Sequence, residues 1–152
     1  MGRAIADYWK TKKADRLRVF SPMFEEDEIP LTTLFRKYKA MPEIERKALD
    51  MATGKTLDVG AGSGCHSLVL QEKDIDVTAI DISPLSVQTM KERGVKSFQM
   101  QYKDTIGEPF DWLYIDADTL KENAAKNGYI AEIVAEGEHY DYLARITKMN
   151  ER

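Results

Sequence analysis

The chain has 152 residues, 43% hydrophobic and 32% charged, a composition that fits one soluble folded domain and excludes a disordered segment. A net charge of −4 argues against nucleic acid or an anionic membrane as the main partner, and the lone cysteine, Cys65, excludes an internal disulfide and suits a reducing compartment. With no apolar run long enough to span a bilayer and no signal-peptide pattern, the expected location is the cytoplasm.

In chain order, residues 3–18 read as a helix anchored by Ile5, Tyr8 and Trp9, with Lys10, Lys12, Lys13, Arg16 and Arg18 as its solvated face. Val19 to Phe24 form an apolar patch broken by Pro22, and Glu25 to Glu28 read as an acidic loop. Pro30 opens a second helix, on which Leu31, Leu34, Phe35 and Tyr38 share a face, and Pro42 opens a third over residues 43–52. Residues 1–54 are therefore expected to form a helical extension acting as a lid, and residues 55–152 the main domain.

The pattern changes at residue 56. Thr56 to Gly60 is a short apolar strand running into a glycine turn, residues 65–73 read as a helix, and Asp76 to Ile82 is a second strand rich in β-branched residues. Ser83 and Pro84 supply an N-cap and a first helical residue, and the helix they start stops at Gly94. Strand, helix, strand and helix in this order predict parallel pairing with a right-handed crossover. Further on, residues 97–102 and 112–115 read as strands, 107–109 as a turn and 118–127 as a helix. Residues 130–135 and 140–146 close the chain as an antiparallel hairpin.

The chemistry lies in Asp58-Val59-Gly60-Ala61-Gly62-Ser63-Gly64. Glycine is needed where φ turns positive or where a ligand must touch backbone. Three glycines at alternate positions, between a strand and a helix, make a loop over which a flat nucleoside and an amino-acid tail can lie. A dinucleotide fold places its third glycine or alanine three residues after the second. Here that position holds Cys65, so the spacing disfavours, without excluding, a nicotinamide-dependent oxidoreductase. No Lys-Ser or Lys-Thr follows, so the loop is not a P-loop. Asp81 ends the second strand, where a carboxylate can accept from both ribose hydroxyls, and Ile82 is placed to pack on an adenine. Asp58 would face the ammonium end of the ligand's amino-acid portion. His66 reads as a packing residue, and two histidines with one cysteine make no recognisable metal-ligand cluster.

Residues 56–64 together with Asp81-Ile82-Ser83-Pro84 resemble the first two cofactor motifs of class I S-adenosylmethionine-dependent methyltransferases. Arg18 to Phe24 and residues 112–147 resemble a bacterial subgroup of that family. The resemblance implies a Rossmann-like α/β fold, S-adenosyl-L-methionine over the loop, and Asp58, Gly60, Ala61, Gly62, Gly64, Asp81 and Ile82 as its contacts. It also implies methyl transfer to an acceptor, expected to be a small molecule.

The chain departs from the family at its centre. Only residues 95–111, 17 in all, separate Gly94 from Trp112, and a β-α-β crossover alone needs a dozen or more. The central strands of the seven-stranded sheet are thus expected to be missing, leaving a smaller, mainly parallel sheet with a C-terminal antiparallel hairpin. Asp104 and Asp111 are the candidates for the adenine contact. Strand edges and apolar surface lose their usual cover, for which a homodimer is one remedy. The alternative function is a cofactor-binding module with reduced or no catalysis.

Overall fold

The computed structural model of the chain describes residues 1–13, 16–21, 24–96, 98–100, 115–138 and 141–149. Its backbone contacts divide into two compact units, Met1–Pro42 with Leu49–Asp104 and Glu43–Ala48 with Thr105–Arg152.

In the first unit, α1 spans Gly2–Thr11 and ends where Lys12 adopts a left-handed φ of 56° and donates its N–H to the Tyr8 carbonyl at 2.8 Å. The helix therefore stops well short of residue 18. Leu17–Ser21 form β1 and Phe24–Ile29 form β2, an antiparallel hairpin in the register Leu17 to Ile29 and Arg18 to Glu28. The stretches read from sequence as helix end, broken patch and acidic loop are thus two paired strands. Opposite charges account for part of this: the Arg16 guanidinium meets the Glu28 carboxylate at 2.7 Å, next to the Arg18–Glu28 backbone pair. The second expected helix is also replaced, by two 3-10 turns at Leu31–Phe35 and Tyr38–Ala40 separated by extended Arg36 and Lys37. The adjacent β-branched Thr32 and Thr33 are poor α-helix formers. The third helix forms as expected, as α2 over Glu43–Met51.

The parallel sheet has the order β3 (Lys55–Val59), β4 (Asp76–Asp81), β5 (Phe98–Met100). Two helices cross between its strands, α3 (Cys65–Glu72) and α4 (Pro84–Arg93). The Ser83 hydroxyl accepts from the Ser86 N–H at 3.3 Å at the start of α4, and Gly94, at φ 93°, ends it. One face of β4 is buried: Val77 packs with Met41, Leu49, Cys65, Val69 and Leu70, and Ala79 with Ala61, Val87, Met90 and Val95. The other face carries Thr78 and Ile80 beside their β3 partners Leu57 and Val59, which are 57% and 70% exposed. A parallel sheet normally has both faces covered. Among the described residues of this unit, the face bearing Leu57 and Val59 is exposed.

In the second unit, α5 spans Ala117–Lys126 behind its N-cap Asp116. β6 (Tyr129–Glu136) and β7 (Tyr142–Lys148) pair antiparallel in a two-stranded sheet of their own, with a register shift between Ile133 and Ala135. The Lys47 ammonium, on the part of α2 that belongs to this unit, donates to the Val134 carbonyl at 2.8 Å. Apart from Ile115, the strand expected at residues 112–115 lies outside the described residues, as do the turn at 107–109 and both adenine candidates, Asp104 and Asp111. Among the described residues no helix is long and apolar enough to cross a membrane.

Candidate functional site

The glycine turn sits where β3 gives way to α3, and β4 holds it from below. Gly60 and Ala61 both donate their N–H groups to the Ile80 carbonyl, at 2.9 and 3.0 Å. Gly62 donates to Asp81 Oδ2 at 2.8 Å, and Gly64 to the Ala61 carbonyl at 2.7 Å. Such a tight fold needs left-handed backbone, and Gly60, Gly62 and Gly64 have φ of 74°, 57° and 79°. Their surroundings differ. A Cβ on Gly60 would meet nothing within 4 Å, whereas one on Gly64 would lie 2.8 Å from Val95 Cγ2 and 2.9 Å from Met90 Cγ. Gly60 therefore borders open space that a ligand can enter. Gly64 lets the start of α3 close onto the core.

Asp81 is half-buried at the end of β4, and both of its carboxylate oxygens accept backbone bonds, Oδ2 from Gly62 and Oδ1 from Ser83, each at 2.8 Å. A carboxylate offers about four acceptor positions, so roughly two remain for a ligand. Ile82 is 74% exposed beside it, an apolar surface next to a fixed anion. Asp58 is half-buried, and its Oδ2 accepts from the fully buried Ser67 hydroxyl at 2.6 Å, which ties the strand end to α3. Asp58, Gly60, Ala61, Gly62, Gly64, Asp81 and Ile82 are thus all held in or beside one turn. These residues fit a nucleoside with a charged amino-acid tail: an open glycine flank, an oriented carboxylate and an exposed apolar side chain.

The leader reaches this turn. Gly2 packs so closely on α4 that a Cβ there would overlap the Ser83 hydroxyl. Ile5, fully buried, brings its Cδ1 to 3.7 Å from where a Gly62 Cβ would stand. A cleft of about 320 Å3 is lined by Arg3, Asp7, Tyr8 and Lys13.

Two groups beside the turn escaped the sequence reading. Ser63, buried, donates its hydroxyl to the Leu34 carbonyl. Arg93 Nη1 donates to the Ser63 carbonyl at 2.6 Å and to its hydroxyl oxygen at 2.7 Å. Burial of this guanidinium lowers its pKa from the ordinary arginine value. A basic residue in the last turn of a helix is ordinary, so no pattern in the sequence marks Arg93. His66, half-buried on the first turn of α3, follows the loop rather than lining it.

A family model described as a methyltransferase domain matches residues 57–135. The chain is also similar to a solved structure titled as a SAM-dependent methyltransferase from Bacteroides fragilis in complex with S-adenosyl-L-homocysteine. The two are 43% identical with a TM-score of 0.88, over 98% of this chain and 94% of that one. No curated protein matches the chain.

Proposed function

The chain belongs to the family of methyltransferase domains, and from that membership we propose that it seats S-adenosyl-L-methionine over Gly60, Ala61, Gly62 and Gly64 and passes its methyl group to a small-molecule acceptor. The observation that supports the assignment of the seat is the half-buried Asp81 carboxylate, which accepts from the Gly62 and Ser83 N–H groups and has acceptor positions left over. Those positions suit the paired hydroxyls of a ribose. Ile82 then lies against the adenine, and Asp58, steadied by Ser67, faces the ammonium group of the methionine portion. When bound, the cofactor supplies an electrophilic methyl group on a sulfonium. The residues of this chain hold and orient it, so their contribution to rate comes largely through positioning.

In the same reading residues 1–54 act as the lid, with α1 against Gly62 and Ser83, and the protein works in the cytoplasm. The open sheet face bearing Leu57 and Val59 supports pairing with a second copy. Calorimetry with S-adenosylhomocysteine and with NAD tests the seat: binding of the first and not the second is expected, and the reverse would replace this reading with an oxidoreductase. Asp81→Ala removes a charged acceptor, for which a loss of about 1.5–3 kcal/mol is typical, so affinity should fall about ten- to a hundredfold. An unchanged dissociation constant would show that the ribose is held elsewhere. Transfer of labelled methyl into small-molecule extracts distinguishes an active enzyme from a module that binds without turnover, the reading suggested by the reduced sheet.

A further inference from the structure

Four residues of the turn are fixed by bonds to β4 or within the loop: Gly60 and Ala61 to Ile80, Gly62 to Asp81, and Gly64 to Ala61. The peptide between Ser63 and Gly64 has its N–H side held by that last bond, and its carbonyl side is held from outside the motif. Arg93 Nη1, at the end of α4, lies 2.6 Å from the Ser63 carbonyl and 2.7 Å from the Ser63 hydroxyl, while that hydroxyl donates to Leu34 in the leader. The guanidinium is half-buried, its carbon 4.8 Å from the Phe35 ring centroid and 5.9 Å from that of Trp9. Those two rings lie parallel to within 2° at 6.3 Å, and Tyr8 packs on Phe35 at 4.8 Å. One planar cation thus touches the crown of the loop and the aromatic layer of the leader together.

We propose that Arg93 is a positioning residue for the cofactor seat, fixing the Ser63 peptide and linking it to the Trp9–Phe35 layer. The inference rests on the reading of the loop as that seat. Ser63 joins Gly62, whose N–H aims Asp81, to Gly64, whose left-handed backbone starts α3. A turn of the Ser63 peptide therefore rotates both neighbours and moves the Asp81 carboxylate without any direct contact between Arg93 and the ligand. Only arginine combines a flat face for stacking with in-plane donors for two acceptors. Lysine can supply one donor to Ser63 but cannot stack as a plane.

The test uses the full chain with S-adenosylhomocysteine as probe, at a temperature where each variant is shown to be folded. Arg93→Met keeps length and apolar contact but cannot donate, and its dissociation constant should rise about tenfold or more, the effect of losing a charge-assisted bond. Arg93→Lys should fall between wild type and Arg93→Met. In a Trp112→Phe background Trp9 is the single tryptophan. Its fluorescence should respond to ligand in the otherwise unchanged protein and lose that response with Arg93→Met. Wild-type affinity in Arg93→Met, whatever its melting temperature, would reduce Arg93 to a structural residue and overturn the proposal. If Arg93→Met does not fold, wild-type affinity in Arg93→Lys overturns it equally, and weakened binding supports it. Absence of binding by the wild-type protein would instead remove the cofactor seat itself, and this inference with it.

Discussion

The glycine turn and the leader that lies on it are held by different kinds of contact. In the turn, backbone bonds to Ile80 and Ala61 and the carboxylate of Asp81, 19 residues from Gly62, fix the chain at Gly60, Ala61, Gly62 and Gly64. The leader is attached through side-chain packing: Ile5 on Gly62, the Ser83 side chain on Gly2, and Trp9 and Phe35 around Arg93. Backbone bonds between neighbouring elements persist under most substitutions, because every residue but proline carries the same groups. Side-chain attachment depends on the identity of each residue. Apart from its left-handed glycines, the turn is therefore less sensitive to side-chain identity than the leader's attachment to it.

The largest expected effect comes from attacking the turn where side-chain packing does matter. Gly64→Val places a branched side chain at a φ of 79° and drives it into Val95 and Met90. Left-handed strain and overpacking together cost about 3–5 kcal/mol, a large share of a domain's stability, and urea unfolding should show it. A mild loss would mean that α3 can shift and that the turn is softer than its bonds suggest. Ile5→Ala probes the cover: emptying a fully buried position costs about 2–4 kcal/mol. Leader and turn share one compact unit, so fluorescence and circular dichroism should report a single, earlier transition. Two separated transitions would show the leader detaching by itself. The smallest effect belongs to the second unit, where the cap of α5 is local. The Thr119 N–H and hydroxyl, at 2.9 and 2.7 Å, and the Asp118 N–H hold Asp116 below the ordinary aspartate range. A depressed carboxyl stabilises above its unfolded value and loses that contribution as pH falls through its folded one. The protection factors of the α5 amides, taken against the intrinsic exchange rate at each pH, should therefore fall at acid pH in the wild type, and Asp116→Asn, which keeps an acceptor without a charge, should flatten that dependence.

Residues 55–96 were legible because each of their signals is local. The glycine spacing, the Ser83-Pro84 start and the Gly94 stop all act within a few positions of the structure they specify. Asp81 was identifiable from its place at a strand end. The pairing of β1 with β2 was not legible, because an acidic run after a proline reads equally well as loop, and only pairing with Leu17–Ser21 makes it a strand. Arg93 was hidden for a related reason: its partner Ser63 lies 30 residues away, and its aromatic neighbours come from the leader. Gly64 was visible as a glycine, but its contacts with Val95 and Met90 appear only once α4 is packed.

The completed bonding of the turn has a consequence for how ligand association would look in solution. The amides of Gly60, Ala61, Gly62 and Gly64 all have acceptors inside the chain, so a ligand seated there should add little to their protection. In the lid reading proposed above, the protection that a ligand adds falls on the leader around Ile5 and Trp9. A ligand footprint measured by amide exchange would therefore outline the cover and leave the cradle almost blank.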